Sequence, residues 1–478
     1  MSTSDRRKWI ALLLLCMVQF MVILDIAIVN VALPSIKIDL GFTQANLQWV
    51  ISAYSLVFGG FLLLGGRLAD LLGRRRVFMV GLVIFSIGSL LCGLSWSEGS
   101  LIAARALQGL GAATISPSAL SILTTMFREG RERNIALGAW GAVGGVGAAA
   151  GVLMGGVLVE YLSWPWIFYV NVPVGIISLI AAPMLLPESR DENASSFDAA
   201  GAILVTSGLS ILVLGISKGQ DWGWSSGRTI GVFAAAAVLL AGFILQESRT
   251  KHPLMPFSIF RLQTLTAANI VMFIMGTALF SMFLMLTLYM QQVLLFSPLK
   301  TGLGYLAVAG TAIIWANVAA AAVTRVGVKP TLAVGMSFMT VGLVLFTQVS
   351  PDGSYWKNLF PGFLVIGFGM PLAFVSLTIA ALAGTRQDEA GLASGLINTS
   401  QQIGGAVGIA ILSTVATSTT TSAVKAGTAL PTALSDGFRA AFWVAAGVTF
   451  AGVIVSLLLV RSRDFVSVAA TEAVPEPV

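Results

Sequence analysis

The chain has 478 residues, of which 56% are hydrophobic and 10% charged, with a formal net charge of +6. So few charges exclude a water-soluble globule, and a length that would otherwise mean several soluble domains is read as a series of membrane helices. Two cysteines and a single histidine, His252, exclude a disulfide framework and a Cys/His metal centre, and the basic excess is an orientation signal rather than a nucleic-acid surface.

Apolar runs of roughly 18 to 25 residues recur from end to end, the length a helix needs to cross about 30 Å of hydrocarbon. The first, 9–33, follows Arg6, Arg7 and Lys8 and imitates a secretory leader. It is too long for one, and Asp25 interrupts it, so it is read as a permanent span. Spans at 47–66, 77–95, 100–123, 135–159 and 165–186 complete a first half, 1–190. The segment carrying Glu188, Arg190, Asp191, Glu192 and Asp198 is too charged for lipid. Two spans at 200–217 and 229–246 then form a central insertion, 191–262. A second half, 263–462, holds spans at 265–292, 300–323, 331–348, 359–383, 391–415 and 438–460, making fourteen in all. The tail 463–478 has no apolar periodicity and is expected to be disordered.

With the N-terminus in the cytoplasm, alternation places nineteen of the 27 Lys and Arg residues inside and seven outside, leaving Arg105 within a span. This is the bias of the positive-inside rule, and it puts both termini in the cytoplasm. Shifting the sequence by 257 places Gly138 on Gly395, Gly147 on Gly404 and Gly151 on Gly408, so the fifth span matches the thirteenth. Parallel repeats of this kind build transporters from two halves around a midplane site.

Asp25 is the only carboxylate the span boundaries place in hydrocarbon, and Arg105 the only base, which makes them expected partners. Burial favours a neutral acid and a nearby cation favours the carboxylate, so a cation that moves can switch protonation. The alternative is a static ion pair that fixes helix packing. Gly147, Gly151 and Gly155 recur every four residues and, with Gly156, present a small-residue face for close helix contact. Tyr54, Asn171, Asn398, Gln401 and Gln402 are polar groups in apolar spans, candidates to line a wet cavity or to join helices. No phosphate-cradling loop and no convergent catalytic set is present, which excludes ATP drive and covalent catalysis. No soluble segment is long enough for a receptor or scaffold domain.

The turn Gly66-Arg67-Leu68-Ala69-Asp70-Leu71-Leu72-Gly73-Arg74-Arg75-Arg76 resembles the loop signature of the major facilitator superfamily. Four further stretches resemble its fourteen-span drug:proton antiporter family: Leu24 to Pro34, Arg105 to Ala113, Gly147 to Gly156, and Tyr289-Met290-Gln291-Gln292 with Ser297 to Gly302. The resemblance covers nearly the whole chain. It implies an all-α membrane protein of major facilitator fold, two six-helix bundles plus two extra central helices. It further implies proton-coupled efflux of lipophilic or cationic drugs and dyes across the cell membrane by alternating access. The proton gradient is then the energy source with no cofactor; the partners are small molecules, protons and membrane lipids, and the chain acts as a monomer. Export of one natural product or metabolite by the same machinery is the alternative. The resemblance assigns proton coupling to Arg105 with Asp25, and closure of the cytoplasmic side to Gly66, Asp70, Gly73, Arg74 and Arg75. Val152 departs from the family, which usually has proline there, as do Leu71 and Pro165, where basic residues are frequent.

Overall fold

The computed structural model describes residues 3–127, 131–190, 198–250, 253–382 and 390–461, which form helices joined by short turns, with no strand among them. The tail from 463, with Asp191 and Glu192, lies outside the described residues. Among the described residues fourteen long helices overlap the fourteen expected spans. The first six are α1 (Thr3–Leu40), α2 (Trp49–Leu72), α3 (Arg74–Gly93), α4 (Glu98–Met126), α5 (Arg131–Tyr161) and α6 (Asn171–Leu185). The insertion is α7 (Ala199–Trp222) and α8 (Gly227–Arg249). The last six are α9 (Gln263–Leu288), α10 (Pro298–Val326), α11 (Val328–Phe346), α12 (Phe360–Leu382), α13 (Ala390–Lys425) and α14 (Leu430–Leu459).

Among the described residues, 13 helices are long and apolar enough to cross a membrane. The fourteenth long helix, α5, is represented among them by the shorter apolar helix Ala149–Tyr161. Several helices overrun the apolar runs: α1 reaches Leu40 rather than residue 33, and α13 reaches Lys425 rather than 415. A helix stops where its backbone is capped, not where hydropathy falls. Ser97 and Ser100 form a reciprocal cap at the start of α4, and Ser226 and Ser297 cap α8 and α10 through the amides of Thr229 and Lys300. Gly73 and Gly327 adopt φ of 105° and 98° in the tight α2–α3 and α10–α11 turns, a region open chiefly to glycine. The sixth span is broken, with a short turn at Trp166–Tyr169 before α6, and α9 ends in a π turn at Tyr289–Val293.

The helix pairings repeat between the halves. In the first, α1 packs on α5 and α6, and α4 on α2 and α3; in the second, α9 packs on α13 and α14, and α12 on α10 and α11. Two of the glycine pairs matched by the 257-residue shift sit at equivalent contacts: Gly147 and Gly151 meet Ile23 and Ala27 of α1, and Gly404 and Gly408 meet Phe273 and Thr277 of α9, whereas Gly395 faces Leu63 of α2. Two seams join the halves, α2 with α13 and α5 with α10. Asp70 and Asp39 mark the two ends of the bundle.

Glycine sets how closely the helices approach. A Cβ on Gly65 would lie 2.1 Å from the Ala113 carbonyl oxygen, whereas one on Gly310 would meet open space. Gly65→Val is therefore expected to destabilise the folded protein by about 1–3 kcal/mol through overpacking. Gly310→Ala is expected to leave the melting temperature of the detergent-solubilised protein unchanged or slightly raised. Thermal melting by size-exclusion fluorescence checks both.

Candidate functional site

Five helices of the first half converge on Asp25. Arg105 and Gln108 sit three residues apart on α4 and so share a face, Ser89 comes from α3, Asn171 begins α6, and Val50 and Tyr54 lie on α2. Asp25 is 0% exposed and Arg105 1%. Arg105 donates from Nη1 to Asp25 Oδ2 at 2.6 Å, while Gln108 Nε2 and Asn171 Nδ2 donate to Oδ1 at 2.7 and 2.8 Å. All three donors suit an ionised carboxylate. Gln108 also donates to Ser89 Oγ at 2.7 Å and accepts from Arg105 Nη1. The guanidinium is completed by a bond from Nε to the Val50 carbonyl at 2.9 Å and by the Tyr54 ring, 4.3 Å from its centre.

The glycines of the Arg105–Ala113 stretch explain how this cluster fits. A Cβ on Gly109 would lie 2.5 Å from the Tyr54 carbonyl oxygen, and one on Gly111 2.5 Å from the Phe85 amide nitrogen, so α4 can press against both α2 and α3. Gly88 on α3 likewise leaves room for the Gln108 backbone. Close approach lets short side chains reach one carboxylate from three directions.

A second cluster lies at the Asp70 end. Asp70 accepts from Arg74 Nε and Nη2 at 3.2 and 3.0 Å. Arg75 donates to the Leu186 carbonyl at 3.1 Å and pairs with Glu188 at 3.6 Å, and the Arg74 amide donates to the Ser189 carbonyl at 2.9 Å. A Cβ on Gly73 would lie 2.7 Å from Glu188 Oε1, and Gly66 packs near Pro117 of α4. Among the described residues, these bonds of Asp70, Arg74 and Arg75 all stay within the first half.

Residues 15–409 match the Major Facilitator Superfamily. The chain belongs to that superfamily. It is 36% identical over 466 residues to the puromycin resistance protein pur8 of Streptomyces alboniger, covering 96% of this chain and 92% of that one. It is 40% identical over 409 residues to the cephamycin export protein CmcT of Amycolatopsis lactamdurans, covering 85% and 84%. The multidrug resistance protein Stp of Mycobacterium tuberculosis is 34% identical over 396 residues, with 83% and 73% covered. Among solved structures, the POT family transporter PepTSo superposes with a TM-score of 0.70 at 15% identity over 95% of this chain and 98% of that one. A bacterial homolog of the human lysosomal transporter Spinster, inward-facing and unoccupied, gives 0.66 at 16% over 98% and 99%. At such identities the two structures show the fold alone.

In this facilitator the remaining sequence candidates fall into different places. Gly147, Gly151 and Gly155 face α1, against Ile23, Ala27 and Ile28 of the same half, rather than the other half. Gly156 is the member that meets the second half: a Cβ there would lie 2.9 Å from the Pro298 carbonyl oxygen. Around it the halves are joined at the Asp39 end, where Gln291 donates to the Val31 carbonyl at 2.9 Å and Gly302 abuts the Val152 carbonyl. The five polar cavity candidates do not share one space. Tyr54 and Asn171 belong to the Asp25 cluster, whereas Asn398 is exposed, Gln401 half-buried and Gln402 buried against Gly59, all on α13. Sequence reasoning missed Gln108, Ser89 and Glu188. Gln108 alone carried a signal, as a polar residue one helical turn from Arg105.

Removing one partner of the buried pair leaves an uncompensated charge. Arg105→Gln is expected to cost about 3–5 kcal/mol of stability, and adding Asp25→Asn is expected to recover part of that loss. A double-mutant cycle on thermal melting in detergent measures the coupling.

Proposed function

We propose that this facilitator is a proton-coupled exporter of lipophilic or cationic drugs and dyes across the cell membrane, with both termini in the cytoplasm. The observation that carries the proposal is the dry Asp25 cluster, an acid with no solvent exposure held by a guanidinium and two amides. Such a carboxylate is neutralised either by Arg105 or by a proton, and the two options correspond to different helix arrangements. When the α4 face carrying Arg105 moves away from α1, Asp25 must take up a proton. When the face returns, the proton leaves. Cargo binding between the halves biases the same equilibrium, which couples inward proton flow to outward cargo flow.

The positive-inside bias supports assigning the Asp70 end to the cytoplasm. In that assignment the Asp39 end, where Gln291 bonds the Val31 carbonyl and Gly156 meets Pro298, is the outer side. In this reading the Gly66–Arg76 turn helps close the cytoplasmic side during the cycle. Glu188 holds Arg75 and Arg76 between closures.

A second reading is export of one natural product, and it is favoured by the relatives whose names specify puromycin and cephamycin. Competition between ethidium and single antibiotics separates broad from narrow cargo.

The coupling is tested with ethidium in inverted vesicles under an imposed pH gradient. The native chain is expected to accumulate ethidium uphill, and Asp25→Asn to lower accumulation about tenfold or more per amount of folded protein in the vesicles, a normalisation that separates coupling from the stability lost when Arg105 is left unpaired. Uphill accumulation by Asp25→Asn with an unchanged proton requirement would remove Asp25 from the mechanism.

A further inference from the structure

The two seams between the halves are related by the internal repeat, but the central insertion packs on only one of them. Helix α7 lies against both α2 and α13, and α8 packs on α7. One apolar cluster draws on all three helices at this seam: Leu56 of α2, Val213 of α7, and Ala406 and Ala410 of α13.

The two contacts of α7 differ in kind. Toward the first half it has anchors at two heights. Gln48, at the start of α2, donates to Ser217 Oγ at 2.7 Å in a buried bond, and a Cβ on Gly60 would lie 2.0 Å from Thr206 Oγ1. Thr206 and Ser217 stand roughly 16 Å apart along the α7 axis at 1.5 Å per residue, so the two anchors fix both its position and its direction. The linker beyond α8 adds a third tie, since Leu254 packs with Leu64 of α2 and Ala202 of α7. Toward the second half the contact is mostly a smooth face of Ala406, Val407 and Ala410. The Thr414 hydroxyl reaches the Ile216 carbonyl at 3.2 Å, but it also bonds within its own helix, to the Ala410 carbonyl at 2.8 Å. A hydrogen bond with a ready substitute on its own helix resists sliding weakly, and small apolar faces shear with little change in contact.

We propose that α7 is a seal carried by the first half, riding with α2 and sliding over α13 as the halves rock. The proposal rests on the alternating-access reading above. When α2 and α13 part, a gap at this seam would open the cargo cavity sideways to lipid. A helix fixed to one edge and free on the other covers the gap throughout the cycle. The insertion thereby confines lateral exchange with the bilayer to the α5–α10 side.

The test uses two cysteine pairs in a Cys16→Ala, Cys92→Ala background: Gln48→Cys with Ser217→Cys, and Ile216→Cys with Thr414→Cys. Each is bridged by a short, reducible bifunctional thiol reagent and assayed for ethidium efflux. Bridging α7 to α2 is expected to leave about half or more of the unbridged rate, and bridging α7 to α13 to lower it about tenfold, with reductant restoring it. Equal effects of the two bridges, or the reverse order, overturn the proposal. Spin labels on the same pairs report the mooring without transport. Between acidic and alkaline buffer the 48–217 distance is expected to hold within about 2 Å while the 216–414 distance shifts by about 5 Å. A larger change in the first distance, or none in either, also overturns it. Unbridged variants that fail to pump while the distances behave as expected would count against the transport reading alone.

Discussion

A charge in hydrocarbon is tolerated only with an opposite charge and enough hydrogen bonds to replace water, and the first half of this protein is arranged around that constraint. Asp25 and Arg105 satisfy the first requirement at 2.6 Å. Gln108, Asn171, Ser89 and the Val50 carbonyl satisfy the second. These groups come from five helices, so the cluster fixes the mutual positions of α1, α2, α3, α4 and α6. A buried ion pair is seldom more stable than well-packed apolar residues of the same volume. Its presence here therefore argues for a role other than stability, which in the proposed mechanism is proton binding.

The repeat sharpens this contrast. The helix pairings of the two halves correspond, and so do the glycines that let α5 approach α1 and α13 approach α9. The charges do not correspond. At the 257-residue offset Asp25 and Arg105 become Met282 and Gly362. The core of the second half is instead built from rings, with Tyr305, Phe363, Phe346 and Phe442 in edge or tilted contact. In the proposed mechanism the proton chemistry is thus concentrated in one half, while the other supplies an apolar body against which it can move. The insertion breaks the symmetry a second time by covering one seam and leaving the other.

Much of this was legible in the sequence because hydrocarbon leaves few options. Span length, the basic bias and the scarcity of intramembrane charge gave the helix count and the Asp25–Arg105 pairing directly. Amide and hydroxyl partners were harder to read. Gln108, Asn171 and Ser89 look like many other polar residues in apolar helices, and only the fold shows that they meet. Asn171 stands out for its polarity, but whether it lines a cavity or joins helices is not legible, because sequence gives no rotation about the helix axis relative to neighbours. The same ambiguity affected Gly147, Gly151 and Gly155, whose spacing marks a packing face without saying which helix it meets. Glu188 sits in a charged segment where any acid looks solvated, yet the Gly73 turn brings it onto Arg75. Helix ends were misjudged where capping groups outlast the apolar run, as at Lys425.

The central claim is that Asp25 is the group whose proton is exchanged for cargo. It is tested most directly by adding ethidium to the purified protein in weakly buffered detergent solution and following the pH with an indicator. The account predicts that the native protein releases protons as ethidium binds, and that Asp25→Asn binds ethidium without releasing any. Equal proton release by the two proteins would contradict it.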